Sequence, residues 1–245
     1  MKPKRWLVGA FWSVVVILVI IGVVAASGRI FVLSDPARGE RIATEILERI
    51  TKVRPPNAAP VVQDQKAVEA GYQQQSALVL AHVVPGLLFM ILGPFQFIPG
   101  MRSRHPQLHR WSGRIFLLAS GVIGTSGLLM GWKTPIGGAS ETTAITFFGG
   151  LFLFELGKAF LHVRRRQIAQ HREWMIRAFI LGLAIATDRP MFGLFFVFSR
   201  MPLPEFFAIA LWLSFCLHLV AAEVWINWTR PAGVAKAVEP ATASV

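Results

Sequence analysis

The chain has 245 residues, of which 54% are hydrophobic and 16% charged, and its mean hydropathy is +0.54. These values exclude an ordinary soluble domain and are typical of an integral membrane protein. The formal net charge of +12 would suit a nucleic-acid-binding protein, but membrane proteins also gather Lys and Arg in their cytoplasmic loops. The positions of the basic residues relative to the apolar segments decide between these explanations.

Apolar segments long enough to cross a bilayer recur along the chain, since a spanning helix needs about 20 residues. There are six such segments, over residues 6–26, 76–98, 111–130, 143–163, 175–198 and 206–228. A bilayer requires every backbone polar group of a helix to be bonded within it, and these segments have the length and composition for that. The sequence therefore predicts an all-α fold, a polytopic membrane bundle of six transmembrane helices.

The basic residues follow this topology. With the N-terminus inside, the short cytoplasmic segments contain Lys2, Lys4, Arg5, Arg102, Arg104, Arg110, Arg164, Arg165, Arg166, Arg172, Arg230 and Lys236. The two short outside loops contain only Lys133 and Arg200. This asymmetry predicts a multi-pass protein of a bacterial inner (plasma) membrane with both termini cytoplasmic, whose partner is the lipid bilayer and not nucleic acid.

The first segment, 1–26, is either a signal anchor or a cleaved signal peptide. Its basic start and the small residues Ala25, Ala26 and Ser27 fit a signal peptide. Its apolar run is longer than the usual signal core of about 7 to 15 residues, which favours a retained anchor. The single cysteine, Cys216, falls in the last span, which excludes an intrachain disulfide and cysteine-ligated metal or iron–sulfur sites.

Residues 27–75 form the one sizeable loop, which this topology places outside. Ser34, Asp35 and Pro36 predict the start of a helix, and its apolar face would comprise Ile42, Ile46, Ile50 and Val53. We predict an amphipathic helix, ended at residues 54–56, that lies on the membrane or caps the bundle. A polar linker then leads to the bundle, 76–228, and a disordered cytoplasmic tail, 229–245, follows it. A lid or spacer is favoured over a binding domain.

A motif occurs twice. Its first copy comprises His109, Trp111, Arg114 and Phe116, and its second comprises His171, Trp174, Arg177 and Phe179. Both copies stand at cytoplasmic starts of spans that run in the same direction, which indicates a duplicated helical hairpin within a four-helix core. Trp and Arg at such positions favour interface anchors, since the Trp ring belongs at headgroup depth and the Arg side chain extends towards it.

The two histidines support a sharper hypothesis. Imidazoles at matched depth on two helices of a four-helix bundle can ligate one haem iron from both sides. His109 and His171 are therefore candidate ligands of a b-type haem, whose iron would be the protein's only metal. The alternative is that they bind lipid headgroups or form ordinary hydrogen bonds.

Four segments carry a resemblance to a known family. They are HVVPG at 82–86, GPFQF at 93–97, RHPQLHRWSGRIF at 104–116 and HREWMIRAF at 171–179. Over roughly residues 75 to 200, the chain resembles a bacterial family of predicted integral membrane proteins, domain of unknown function 2306. The resemblance implies a membrane helix bundle and brings no established activity.

A more distant likeness is to the dihaem membrane cytochromes b, which have a four-helix core with one pair of ligand histidines on each side. His109 and His171 match the inner pair in position. On the outer side His82 has no counterpart, because residues 144–151 of the fourth span lack a histidine. His218 is a substitute that lies deeper in the membrane. By this comparison the chain holds at most one haem.

Charged groups within the spans are costly, so they are candidates for function that need partners. Asp188 and Arg189 precede Pro190 in the outer half of the fifth span, at a depth similar to that of His82. A pocket of these three residues would bind an anionic or quinone-like head group, with Arg189 holding an oxygen and His82 or Asp188 exchanging a proton. The alternative is a self-satisfied Asp188–Arg189 pair that fastens two helices.

Two further ionisable groups share a face of the fourth span. Glu155 and Lys158 have a spacing that allows an ion pair, which is the favoured interpretation. A proton ladder that also involves Glu223 is the alternative.

The sequence is compatible with two functions, and it does not determine whether the protein is an enzyme. The first is a membrane redox component that binds a b-type haem or quinone. The second is a non-redox carrier or sensor for a small anionic or lipid-like ligand. The redox hypothesis needs inner histidines that converge across a gap, whereas the carrier hypothesis needs an outer cavity.

Overall fold

A computed structural model of the protein describes residues 5–52, 54–55 and 58–230. This part of the chain contains nine helices and no strand: α1 (Arg5–Ser34), α2 (Pro36–Thr51), α3 (Val62–Gln74), α4 (Ser76–Phe97), α5 (Pro99–Arg104), α6 (Pro106–Lys133), α7 (Gly138–Arg164), α8 (Ile168–Phe198) and α9 (Leu203–Thr229). Six of them, α1, α4, α6, α7, α8 and α9, are long and apolar enough to cross a membrane. The predicted all-α, polytopic bundle is confirmed.

Several helices extend beyond the predicted spans. α1 continues to Ser34, because Arg29, the one charge in its last two turns, pairs with Glu69 of α3. α6 begins at Pro106. A proline is tolerated in the first turn of a helix because its missing N–H would have no helical partner there. α8 begins at Ile168. The apolar windows missed the added turns of α6 and α8 because most of their residues are polar, whereas the first span was ended at the small residues around Ala26 although residues 30–33 are apolar.

The helices pack as two hairpins with two flanking helices. α4 packs against α6, and α7 packs against α8, in agreement with the predicted pair of hairpins. α1 packs against both α4 and α8, and α9 packs against both α7 and α8. A phenylalanine cluster fills the middle of this arrangement, and its members are Phe89, Phe116, Phe152 and Phe179.

The two ends of the bundle differ in charge. We call one end of the bundle the His109 end. It contains α5 and the connection between α7 and α8, with Arg102, Arg104 and residues 164–166. We call the opposite end the Tyr72 end. It contains α2, α3 and two short connections with Lys133 and Arg200. The basic residues of the short connections therefore gather at the His109 end, as the topology prediction requires.

The loop 27–75 is more helical than predicted. α2 forms where an amphipathic helix was expected, with Ile42 and Ile46 exposed and Leu47 packed on the bundle. The side chain of Ile50, together with Val53, lies outside the described residues.

Helix α3 stands where a polar linker was predicted. That prediction is wrong, because the segment is rich in Gln, Lys, Glu and Ala, which form helices well.

The connection between α2 and α3 caps the Tyr72 end. The Arg54 guanidinium donates to the Phe196 carbonyl at 2.9 Å, and the Ala59 amide donates to the Arg200 carbonyl at 3.2 Å. Val61 is buried against the start of α9. Of the two predicted placements for this loop, the cap agrees with these contacts. Lys2, Lys4, Lys236 and most of the predicted tail lie outside the described residues.

Candidate functional site

A cavity of about 490 Å³ lies in the Tyr72 half of the bundle. Its volume falls within the usual range for small-molecule sites, about 300 to 1,000 Å³. The cavity is lined by residues of α1, α4, α6, α7, α8 and α9, and Tyr72 of α3 also lines it. The fold thus leaves space where its central helices diverge beyond the phenylalanine cluster.

Small residues make this space. The cavity face of α1 carries Gly22, Ala25, Ala26 and Gly28, and α4 contributes Gly86. A Cβ atom added at Gly28 or Gly86 would meet nothing within 4 Å, so these glycines border open volume. The deeper wall is apolar and consists of Met90, Phe148, Phe152, Leu181, Leu211 and Phe215. The cavity therefore has an apolar body, and its polar groups lie nearer the Tyr72 end.

His82 is held on the wall by α6. Its Nδ1 lies 3.1 Å from the Ser126 hydroxyl oxygen, and that hydroxyl lies 2.5 Å from the Val122 carbonyl. Because the carbonyl accepts the single hydroxyl proton, Nδ1 of His82 donates to Ser126. In the neutral ring, Nε2 then has no proton and is available to accept a hydrogen bond from a bound molecule.

Asp188 is the most deeply buried charged residue of the wall. It is 1% exposed, and neither of its carboxylate oxygens has a hydrogen-bond partner among the described residues. Arg189 also lines the cavity but is exposed, and no ion pair joins it to Asp188 in the described part of the chain. The structure brings His82, Asp188 and Arg189 to one cavity, and the alternative of a self-satisfied Asp188–Arg189 pair is wrong.

Pro190 does not end α8, which continues to Phe198. Since proline has no N–H, the carbonyl of Ala186 loses its helical donor. Ala186 also belongs to the cavity wall, so the carbonyl that loses this donor lies close to Asp188.

The sequence reasoning missed three polar residues of the cavity. Glu141 of α7 is buried, and its Oε2 accepts hydrogen bonds from the amides of Ile136 and Gly137 at 2.5 and 2.6 Å. It lay just before the predicted span, in the first turn of α7. Its role in holding the α6–α7 connection was not visible in the apolar pattern.

Arg29 and Tyr72 are the other two, and they join α1 to α3 at the mouth of the cavity. Arg29 donates to Glu69 at 2.6 Å, and its guanidinium lies 4.7 Å from the centre of the Tyr72 ring. Burial raises the pKa of the Tyr72 phenol. Tyr72 lay in the predicted linker, and the contact of Arg29 with it was not foreseen because that contact requires the segment to be a helix.

The two motif histidines lie outside the cavity. Each is the fourth residue of its helix, and each is half-buried. Nδ1 of His171 donates to the Ala159 carbonyl at 2.8 Å, whereas Nδ1 of His109 is buried without a hydrogen-bond partner in the described part of the chain. The phenylalanine cluster separates this pair from the cavity, since α6 runs from His109 through Phe116 before it reaches the cavity wall.

The Trp and Arg residues of the motif pair within each copy. The Arg114 guanidinium lies 4.7 Å from the Trp111 ring centre, and the Arg177 guanidinium lies 4.7 Å from that of Trp174. Trp111 is 63% exposed, as a lipid-facing anchor would be.

The second copy of the motif faces neighbouring helices instead. Arg177 also donates to both carboxylate oxygens of Glu223, at 2.5 and 3.0 Å, and the Trp174 ring packs edge-on against Phe154. The two copies therefore have the same local geometry in different surroundings.

The predicted Glu155–Lys158 ion pair does not form. Glu155 is 2% exposed, with its Oε2 unpartnered among the described residues. The Lys158 amine instead lies 5.6 Å from the centre of the Trp174 ring. Spacing along the helix permitted the pair, but the position of α8 beside α7 directs the lysine to the tryptophan.

The hydrogen bonds of His218 occupy both nitrogens of its ring. Nδ1 donates to the Ser214 carbonyl at 2.8 Å, and Nε2 lies 3.4 Å from the Thr187 hydroxyl. This ring is buried between α8 and α9, and both of its nitrogens have partners. It does not serve as an outer counterpart of His82.

Six apolar helices around a partly polar cavity define the class of protein, a polytopic α-helical membrane protein. The chain belongs to the family described as "Predicted membrane protein (DUF2306)", whose model matches residues 79–226. The expected family is thus confirmed, over a region that extends into α9 and excludes α1. No match was found among the curated proteins or the solved structures. No group of three or more His, Cys, Asp or Glu side chains in the described ranges is placed to hold a metal ion.

Proposed function

We propose that the protein binds a small amphipathic molecule of the membrane, quinone-like or lipid-like, in the cavity of the Tyr72 half. The observation that carries this proposal is the combination, in one cavity, of an apolar body with the unpartnered carboxyl oxygens of Asp188 and the ring of His82. Sites for small molecules commonly have this composition, with few polar groups that fix the ligand's orientation.

Each polar residue has a role in this proposal. Arg189, exposed at the edge, would hold an oxygen of the ligand, as a guanidinium does well. His82 and Asp188 would accept a hydrogen bond or exchange a proton with it. This chemistry suits a non-redox carrier or sensor, and equally a quinone-binding redox component. Glu141 is occupied by two backbone amides and serves to hold the wall.

A b-type haem at His109 and His171 is a second candidate, and one hydrogen bond favours it. A histidine that ligates a metal usually donates its other ring N–H to a carbonyl or carboxylate, which fixes the ring's orientation. His171 makes such a bond to Ala159, which leaves its Nε2 free of a proton. His109 has a buried ring nitrogen that a bound group would satisfy. A haem held there would supply one-electron transfer.

The cavity proposal is tested by filling the cavity. We expect a leucine side chain at Gly86 to enter the open volume without a clash, and the matched change at Gly150 to point away from the bundle, since Gly150 is exposed and does not line the cavity. Organic extracts of purified parent, Gly86→Leu and Gly150→Leu proteins would be compared by mass spectrometry. An amphipathic molecule retained by the parent and Gly150→Leu but lost from Gly86→Leu supports the proposal. Equal extracts from all three folded proteins contradict it.

A further inference from the structure

The polar wall of the cavity contains hydrogen-bond acceptors to which no group of the described residues donates. Asp188 contributes two carboxylate oxygens without partners, and His82 contributes Nε2. The Ala186 carbonyl lacks its helical donor because of Pro190. A buried acceptor without a donor destabilises the protein, so a group that donates to these atoms would be strongly favoured there.

The donors near the cavity do not supply these acceptors. Arg29 is engaged by Glu69 at the mouth, and the exposed Arg189 makes no ion pair within the described part of the chain. The backbone amides of Ile136 and Gly137 are taken by Glu141. The carboxylate of Asp188 is therefore left for a bound molecule.

We propose that the ligand's head group is a hydrogen-bond donor, a protonated amine or a hydroxyl, that binds Asp188 and Nε2 of His82. This inference rests on the proposed function and narrows it, because an anionic head would face the buried carboxyl group of Asp188, with which no described residue forms an ion pair. A hydroxyl or ammonium group supplies the missing donor, and a donor to a charged acceptor forms the stronger class of hydrogen bond.

The apolar body of the ligand would extend from this head towards the phenylalanine cluster. Leu181 lies about two helical turns from Asp188 along α8, which is about 10 Å. Over that length the wall is formed by Met90, Phe148, Phe152 and Leu211. A straight alkyl chain or a small ring system fits such a wall, because its groups need no hydrogen-bond partners.

Three probes with one tail and different heads test this inference: decylamine, decanol and decanoate. Binding of each to the full-length purified protein in detergent would be titrated by native mass spectrometry. We expect decylamine to bind at least about tenfold more tightly than decanoate, with decanol between them. The order of decylamine and decanol distinguishes an ammonium head from a hydroxyl head.

Asp188→Asn is the decisive variant, because it keeps the shape of the side chain and removes its charge. We expect decylamine binding to weaken by about tenfold and decanol binding to change little. The matched control is Glu155→Gln, which alters another buried carboxyl with an unpartnered oxygen that does not line the cavity. This control should leave all three affinities unchanged.

Two results separate failure of this inference from failure of the proposed function. If decanoate binds as tightly as decylamine, or if Asp188→Asn leaves decylamine unchanged, the donor head is overturned, although Gly86→Leu would still abolish binding. If Gly86→Leu binds all three probes as the parent does, the cavity is not their site and both proposals fail.

Discussion

Phe116 and Phe179, which end the two copies of the repeated motif, meet in the middle of the bundle with ring centroids 6.4 Å apart. Each also packs against Phe89, at 5.0 and 5.7 Å between centroids. Two helices that start at the same end thus bring equivalent side chains to one point. The motif begins with histidines at the end of the bundle and finishes in its core, so its parts have different roles.

Close packing around this cluster predicts a large effect of small changes. A Cβ at Gly93 would clash with the Phe179 ring, and one at Gly182 would clash with the Phe89 ring. We expect Gly93→Ala and Gly182→Ala each to lower the free energy of unfolding by about 1–3 kcal/mol, because the rings must shift in a packed core. Thermal unfolding in detergent measures this. Gly150→Ala is the control, since its Cβ meets nothing. Unchanged unfolding of both core variants would contradict the packing.

The two motif arginines predict unequal effects. Arg177 binds Glu223 through two hydrogen bonds and is partly buried, whereas Arg114 is exposed and stacks only on Trp111 among its described contacts. We expect Arg177→Ala to destabilise the protein by about 1–3 kcal/mol and Arg114→Ala by less than about 0.5 kcal/mol. Chemical denaturation of both variants gives the comparison. A cost at Arg114 equal to that at Arg177 would show that the shared stacking on Trp, not the ion pair, is the stabilising contact.

Tyr72 predicts a pH dependence that absorbance can follow, because it is the only tyrosine of the chain. Burial raises the pKa of its phenol above the ordinary value of about 10. The folded state therefore holds this proton more tightly than the unfolded state. The resulting stability is fully present below about pH 10 and is lost as the pH rises through the folded pKa. We expect the tyrosinate absorbance of the folded protein to appear at higher pH than in denaturant. Coincident titrations would contradict the burial of this ring.

The haem hypothesis predicts a colour. A reduced-minus-oxidised visible spectrum of protein expressed with ample haem should show a b-type signal, and the double variant His109→Ala and His171→Ala should lose it while remaining folded. His105→Ala, which changes an exposed histidine of the same end, is the control. A colourless, folded parent would contradict the haem hypothesis and leave the cavity as the candidate site among the described residues.

The gathering of basic residues at the His109 end predicts the orientation in the membrane. We expect green fluorescent protein fused after the last residue to fluoresce, as it does only when it folds in the cytoplasm. We also expect a cysteine at Pro135, which is exposed in the α6–α7 connection, to react with a membrane-impermeant thiol reagent from outside, with Cys216 first replaced by alanine. A dark fusion together with an unreactive cysteine would reverse the topology.

The fold could be predicted from the sequence because a helix that crosses a bilayer must be long and apolar. Six apolar segments of sufficient length appear as six helices, and the internal repeat appears as equivalent starts of α6 and α8. Helix ends were less predictable, since polar turns such as those before Trp111 escape an apolar window. α3 was missed for the same reason, because a helix without an apolar face resembles a linker.

The site followed only in part. His82, Asp188 and Arg189 were recognisable because ionisable groups are rare in membrane spans. Which of them would pair was not recognisable, since Arg189 follows Asp188 directly and yet forms no ion pair with it among the described residues. The cavity could not be predicted from the sequence, because the glycines and alanines that line it also occur where helices pack closely together. Gly22, for example, lines the cavity and also contacts Met90. A glycine in the sequence does not show whether it borders a cavity or a close helix contact.

The phenylalanine cluster makes the bundle a cup rather than a channel. Its rings fill the middle of the helices below the cavity, so a molecule that enters from the Tyr72 half meets a floor there. Carrying that molecule to the opposite face of the bilayer would require several packed rings to move together. Reporting its presence, or exchanging a proton with it, would require no such movement. The packing of four aromatic rings thus separates the cavity from the His109 end of the bundle.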